Sequence, residues 1–126
     1  MKSLGKQLLI ELYDCKPKLL NDVKAIENIM KEAAEYSRAK IIDAIFHRFN
    51  PHGVSGVIVI AESHLSIHTW PEYGFASADV YTCGNKVNPW RAYRYLIKKL
   101  KPKNSTAMEL KRGVLNISSL KHKPGA

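Results

Sequence analysis

Between Ala61 and Gly84 the chain reads AESHLSIHTWPEYGFASADVYTCG, which gathers serines, two histidines, acids and a cysteine into one short stretch. Leu65, Ile67 and Thr69 alternate with His64, Ser66 and His68, the period of a strand with two unlike faces. His64 and His68 would share one face of a helix. On a strand, at roughly 3.3 Å per residue, they stand about 13 Å apart, too far to hold one metal ion. The chain has no HExxH, and neither cysteine belongs to a CxxC, so no metal site is expected. Cys83 with His68 could in principle serve a cysteine hydrolase, but no third group is evident to orient the histidine.

The elements that must position this stretch can be read on either side of it. Lys6 to Tyr13 alternates loosely as a first strand. Pro17 suits the first turn of a helix, whose apolar face runs from Leu19 through Val23, Ile26 and Met30 to Ala34, ending near Ser37. Lys40 to Phe49 reads as a strand and Asn50-Pro51-His52-Gly53 as a turn. Val54 to Ala61 is a continuous β-branched run, expected to be central and well buried. His64–Thr69 and Phe75–Cys83 follow as strands around the turn Trp70-Pro71-Glu72-Tyr73-Gly74. Asn88-Pro89 caps a second helix with Ala92, Tyr93, Leu96, Ile97 and Leu100 on its apolar face, and Pro102 stops it. Thr106 to Lys111 reads as a last strand, and Lys121 to Ala126 as a fraying tail.

The order β-α-β-β-β-β-α-β implies an α+β fold, a two-layer sandwich with an antiparallel sheet and two helices on one face. Half of Val57, Ile58, Val59 and Ile60 must then point to the uncovered face. Such a face is a surface for a partner, and a symmetric dimer is the simplest cover.

With 126 residues the chain is one domain, and 45% apolar with 25% charged residues is ordinary for a globular protein. Two cysteines, Cys15 and Cys83, are too few for a disulfide framework and suit a reducing cytoplasm. The start, MKSLGKQLLIELYD, carries neither a cleavage-like site nor an apolar run long enough for a membrane. The net charge of +9 is uneven: residues 1–62 hold 9 Lys/Arg against 8 Asp/Glu, and residues 63–126 hold 11 against 3. A solvated helix face and a basic tail account for this excess. The alternative is a nucleic-acid-binding module built on Trp90-Arg91-Ala92-Tyr93-Arg94-Tyr95.

The strings FHRFNPHGVSG and ESHLSIHTWPEYG, followed by YTCG, resemble the small bacterial and archaeal S-adenosylmethionine decarboxylases, from Leu4-Gly5 to about Arg112-Gly113. These enzymes carry a covalent pyruvoyl group made from an internal serine. The resemblance implies that the single domain 1–126 cuts itself between Glu62 and Ser63, giving chains 1–62 and 63–126, the second headed by pyruvoyl. It further implies that Ser63 is the pyruvoyl precursor and Schiff-base site. Ser55 would assist processing, His68 would accept the Ser63 α-proton, and Cys83 would donate a proton to the substrate carbon. Phe49 and Trp70 would sandwich the adenine, with Glu72 on the ribose or facing the sulfonium. Taken alone, Phe49, Trp70 and His68 would be core residues, Cys15 is packing, and His64 has no role.

The family also implies a dimer with active sites shared between protomers, a cytoplasmic location and a product used in spermidine synthesis. Some archaeal relatives of the same fold decarboxylate arginine instead. WPEYG and the late run ELKRGVL resemble the S-adenosylmethionine enzymes more.

Overall fold

The computed structural model describes residues 2–119; the expected tail Lys121–Ala126 lies outside them. Six strands form one antiparallel sheet: β1 (Lys2–Tyr13), β2 (Ile41–Arg48), β3 (Val54–Ile60), β4 (Ser63–Trp70), β5 (Phe75–Cys83) and β6 (Asn104–Leu115), in the spatial order β2-β3-β4-β5-β1-β6. Three helices, α1 (Pro17–Leu20), α2 (Val23–Tyr36) and α3 (Pro89–Leu100), cover one face. α2 packs against β2, β3 and β4, α3 against β1 and β5, and the two helices pack on each other.

The alternation along each strand decides what meets the helices. Leu8, Ile10, Leu12, Ile58, Leu65, Ile67, Ala76 and Val80 are fully buried beneath Ile26, Met30, Ala33, Ala92, Leu96 and Leu100. Gly56 lies opposite Phe46, whose ring occupies the space a side chain at 56 would need. It therefore serves packing in mid-strand; of the GVSG pair, only Gly53, at φ 107°, makes the bend.

Two expectations change. The first helix is not continuous: Asp22 takes an extended conformation and caps α2 by accepting from the Ala25 N–H at 3.0 Å. The groups freed at the break are used elsewhere. Asn21 Oδ1 accepts from the Gly53 N–H at 2.9 Å, the Leu20 carbonyl accepts from Thr69 Oγ1 at 2.8 Å, and the Asn21 carbonyl accepts from Arg48 Nε at 3.3 Å. The break thus ties down the loop after Phe49 and the end of β4 just before Trp70. Second, β3 is not central but next to the edge strand, and it is buried on one face only: Ile58 is fully buried while Val59 is 45% exposed.

The other sheet face is uncovered. Ile45 (69% exposed), Val59, Met108 and Leu110 lie on it, interspersed with the histidines, serines and acids of β2, β4, β5 and β1.

Candidate active site

The candidate residues lie at two ends of the sheet. At one end, the two-residue turn Ala61-Glu62 delivers the chain into β4 at Ser63. The Glu62 carbonyl accepts two hydrogen bonds, from the Cys83 N–H at 3.1 Å and from Cys83 Sγ at 3.3 Å. Two donors on one carbonyl oxygen polarise it and are ready to stabilise negative charge there. Ser63 has φ 144°, a region almost reserved for glycine, which costs on the order of 1–3 kcal/mol in a serine. The Glu62 side chain is 3% exposed, and its Oε1 has no hydrogen-bond partner among the described residues, a second cost of about 1–3 kcal/mol at the same junction. The Glu62–Ser63 peptide is both activated and destabilised.

At the other end, the pairing of β3 with β4 sets Ser55 opposite His68, and Ser55 Oγ lies 2.8 Å from His68 Nδ1. His47 of β2 completes that row beside Ser55, and these residues line a hollow of about 430 Å³ with Ile45, Val57 and Ser66. His68 is exposed here rather than part of the core.

The aromatic candidates cluster at this same end. Trp70 is 39% and Phe49 47% exposed, so neither is a core residue of the chain. Trp70 faces Phe75 (ring centroids 5.5 Å apart) and His68 (6.5 Å), while His47 meets Phe49 edge-on at 4.6 Å. Glu72, on the short helical turn Pro71–Tyr73, pairs with His52 Nε2 at 3.2 Å.

The chain does not bring the two ends together. Ser63 and His68 are five residues apart on one extended strand, about 16 Å at ~3.3 Å per residue. Ser63, Glu62 and Cys83 group at one end, and Ser55, His68, Phe49, Trp70 and Glu72 at the other.

The remaining candidates resolve simply. Cys15 is buried, and that burial, helped by the Asp14 charge, pushes its thiol up to about 11, so it is packing. On α3, Trp90 donates to Glu109 at 2.9 Å, Tyr93 bonds Ser105 at 2.7 Å, Tyr95 donates to Glu32 at 2.7 Å and Arg91 lies over Tyr36. The polar ends of these rings are engaged within the chain. His47, His52 and Phe75 join the second group unannounced, and Asp79 lies between the two groups on β5. Asp79 left one signal, an acid in mid-strand between Ala78 and Val80; the others depend on which strands pair.

The fold is shared with a solved adenosylmethionine decarboxylase from Aquifex aeolicus, with a TM-score of 0.87, 37% identity and coverage of 96% of this chain and 100% of that one. The chain belongs to the S-adenosylmethionine decarboxylase family, matching it over residues 6–113. S-adenosylmethionine decarboxylase proenzymes from Caldanaerobacter subterraneus subsp. tengcongensis and Moorella thermoacetica are 54% and 53% identical to it. The first match covers 90% of this chain and 92% of the relative, the second 91% and 92%.

Proposed function

We propose that this protein is a proenzyme that cuts itself between Glu62 and Ser63 and then decarboxylates S-adenosylmethionine, yielding an aminopropyl donor for spermidine synthesis. The observation that carries this reading is the Glu62 carbonyl held by the Cys83 N–H and thiol, directly before a serine at φ 144°.

Self-cleavage begins when Ser63 Oγ bonds to the Glu62 carbonyl carbon. The Glu62–Ser63 C–N bond breaks and the hydroxyl proton passes to the nitrogen, leaving an ester. Removal of the Ser63 α-proton expels the Glu62 carboxylate. Water then replaces the nitrogen, which leaves as ammonia, and chain 63–126 begins with a pyruvoyl group.

The base for the α-proton has to come from outside the Ser63 half, because His68 of the same chain stands about 16 Å away along β4. A second copy packed face to face across the apolar and polar open surface supplies it. In this arrangement the partner subunit's His68 faces Ser63, and each dimer has two shared sites. For Nε2 of that histidine to accept a proton, Nδ1 must carry the hydrogen and donate it to Ser55 Oγ. The Ser55 hydroxyl hydrogen is then free to support the oxygen of the cleavage intermediate.

The pyruvoyl group would supply a carbonyl that takes up the substrate amine and the electrons left by departing carbon dioxide. Cys83, freed from the Glu62 carbonyl by cleavage, holds a proton for the substrate α-carbon. Phe49 and Trp70 offer flat faces for an adenine, and Glu72 an acceptor for ribose hydroxyls. Arginine has no ribose hydroxyls for Glu72 to accept from. Both cysteines are unpaired, which fits a reducing cytoplasm. The test is release of carbon dioxide from carboxyl-labelled S-adenosylmethionine and arginine in parallel. Turnover of the first and none of the second is expected; turnover of arginine alone would overturn the substrate assignment.

A further inference from the structure

Asp79, in the middle of β5, accepts from three side chains. Gln7 Nε2 donates to Oδ2 at 2.7 Å, His64 Nε2 donates to the same oxygen at 2.9 Å, and Ser66 donates to Oδ1. A carboxylate only accepts, so the hydrogen of His64 is on Nε2. The ring of His64 is also met edge-on by Tyr81, its cross-strand neighbour, at 5.7 Å between centroids. The chemistry described above uses neither His64 nor Asp79.

We propose that the His64–Asp79 pair clamps the backbone of Ser63 in its strained, reactive conformation, making both of them positioning residues for self-cleavage. The inference rests on the Glu62–Ser63 cleavage proposed above. Both flanks of Ser63 are tied to the same strand. On one side the Glu62 carbonyl is held by Cys83, and on the other the His64 side chain is held by Asp79. Ser63 is the first residue of β4, paired with Ile60 and Thr82 but directly after the two-residue turn, where an unfavourable φ has most room to relax. With both neighbours fixed on β5, that relaxation is blocked.

The consequence falls on the first chemical step. Ser63 Oγ bonds to the Glu62 carbonyl carbon, the C–N bond opens, and the hydroxyl proton moves to the nitrogen; no other atom enters or leaves. Once the C–N bond is broken, the φ rotation of residue 63 no longer joins two parts of a chain, and its strain disappears. The clamp therefore raises the amide relative to the ester and shifts their balance toward the ester.

The experiment uses His68→Ala protein, which lacks the base for the next step and accumulates this equilibrium. The fraction of chain cut by hydroxylamine, read by intact mass, measures the ester. Adding Asp79→Ala or His64→Ala should lower the ester-to-amide ratio about 5- to 150-fold, the range expected for releasing a glycine-only conformation. Asp79→Asn retains an oxygen to accept from His64 Nε2 and should keep most of the ratio. Gln7→Ala removes the other donor to the same oxygen and should leave it unchanged. An unaltered ratio in His64→Ala overturns the clamp, as does a fall in Gln7→Ala equal to that in His64→Ala, which would mark the network as a scaffold only. Should Asp79→Ala not fold, His64→Ala carries the test alone, since Gln7 and Ser66 still serve Asp79. Wild-type protein that stays a single chain refutes the cleavage reading itself. Wild-type cleavage with an unchanged His64→Ala ratio refutes the clamp and leaves that reading standing.

Discussion

Mixing two inactive variants should restore activity if the site is divided between copies. A general base works within about 2.6–3.2 Å of the proton it takes, or through one water. The roughly 16 Å of strand between Ser63 and His68 exceeds that several-fold, so no side-chain rotation within one chain closes it. Ser63→Ala alone cannot form the ester, and His68→Ala alone should stall at it. In a dimer of one chain of each kind, the intact Ser63 and Cys83 of the His68→Ala chain face the intact Ser55 and His68 of the other. One of the two sites is complete and the other lacks both groups. Random pairing from equal co-expression makes half the dimers mixed, so about a quarter of wild-type activity should return. Only the His68→Ala chain should be cut, and its 63–126 fragment identifies itself by the mass of the substitution. Pairing Ser63→Ala with Cys83→Ala, both in the same half, should restore nothing. Absence of complementation in the first mixture, with mixed dimers verified, would refute the division of the site. So would equal recovery in the second.

The remaining expectations follow from single groups. Phe49→Ala and Trp70→Ala should each raise KM for S-adenosylmethionine by about 1 kcal/mol equivalent per lost stack; unchanged KM in both would remove them from the substrate site. Cys83→Ala loses the thiol but keeps the N–H to Glu62, so some cleavage should persist while turnover per cleaved chain falls roughly 10²- to 10⁴-fold. A misplaced proton would leave alanine at the head of chain 63–126, visible by mass, and wild-type turnover would withdraw the proton-donor role. Because burial and then the Asp14 charge raise the Cys15 thiol to about 11, iodoacetamide at pH 8 should label the folded protein at Cys83 only. Equal labelling of Cys15 without unfolding would contradict its place in the core.

Much of this was legible before the structure, because the informative patterns are local. Period-2 alternation in His64–Thr69 and Phe75–Cys83 located the strands, and Asn88-Pro89 located the start of α3, whose end is a left-handed Lys101 rather than Pro102 itself. What escaped the sequence depends on partners distant along the chain. The break before Asp22 is useful because Gly53, 32 residues on from Asn21, needs an acceptor. Ser55 meets His68 only through the β3–β4 register. Asp79 gains its meaning from Gln7, His64 and Ser66, on two other strands. The strain at Ser63 belongs to a turn whose composition, Ala61-Glu62, carries no turn residue to announce it. The exposed face that holds Val59 was expected from the fold order, but the exposure of Phe49 and Trp70 is not readable from residue type alone, since a large apolar residue on the surface looks the same in sequence as one in a core.

The most direct measurement is an intact mass spectrum of the purified wild-type protein. Two chains are expected in place of one of 14.2 kDa. Chain 1–62 should end in a free carboxyl at Glu62. Chain 63–126 should be lighter by one ammonia than a chain beginning with serine, and borohydride should reduce its carbonyl. Ser63→Ala should remain whole and inactive. A single unbroken wild-type chain with full decarboxylase activity would contradict the account at its centre.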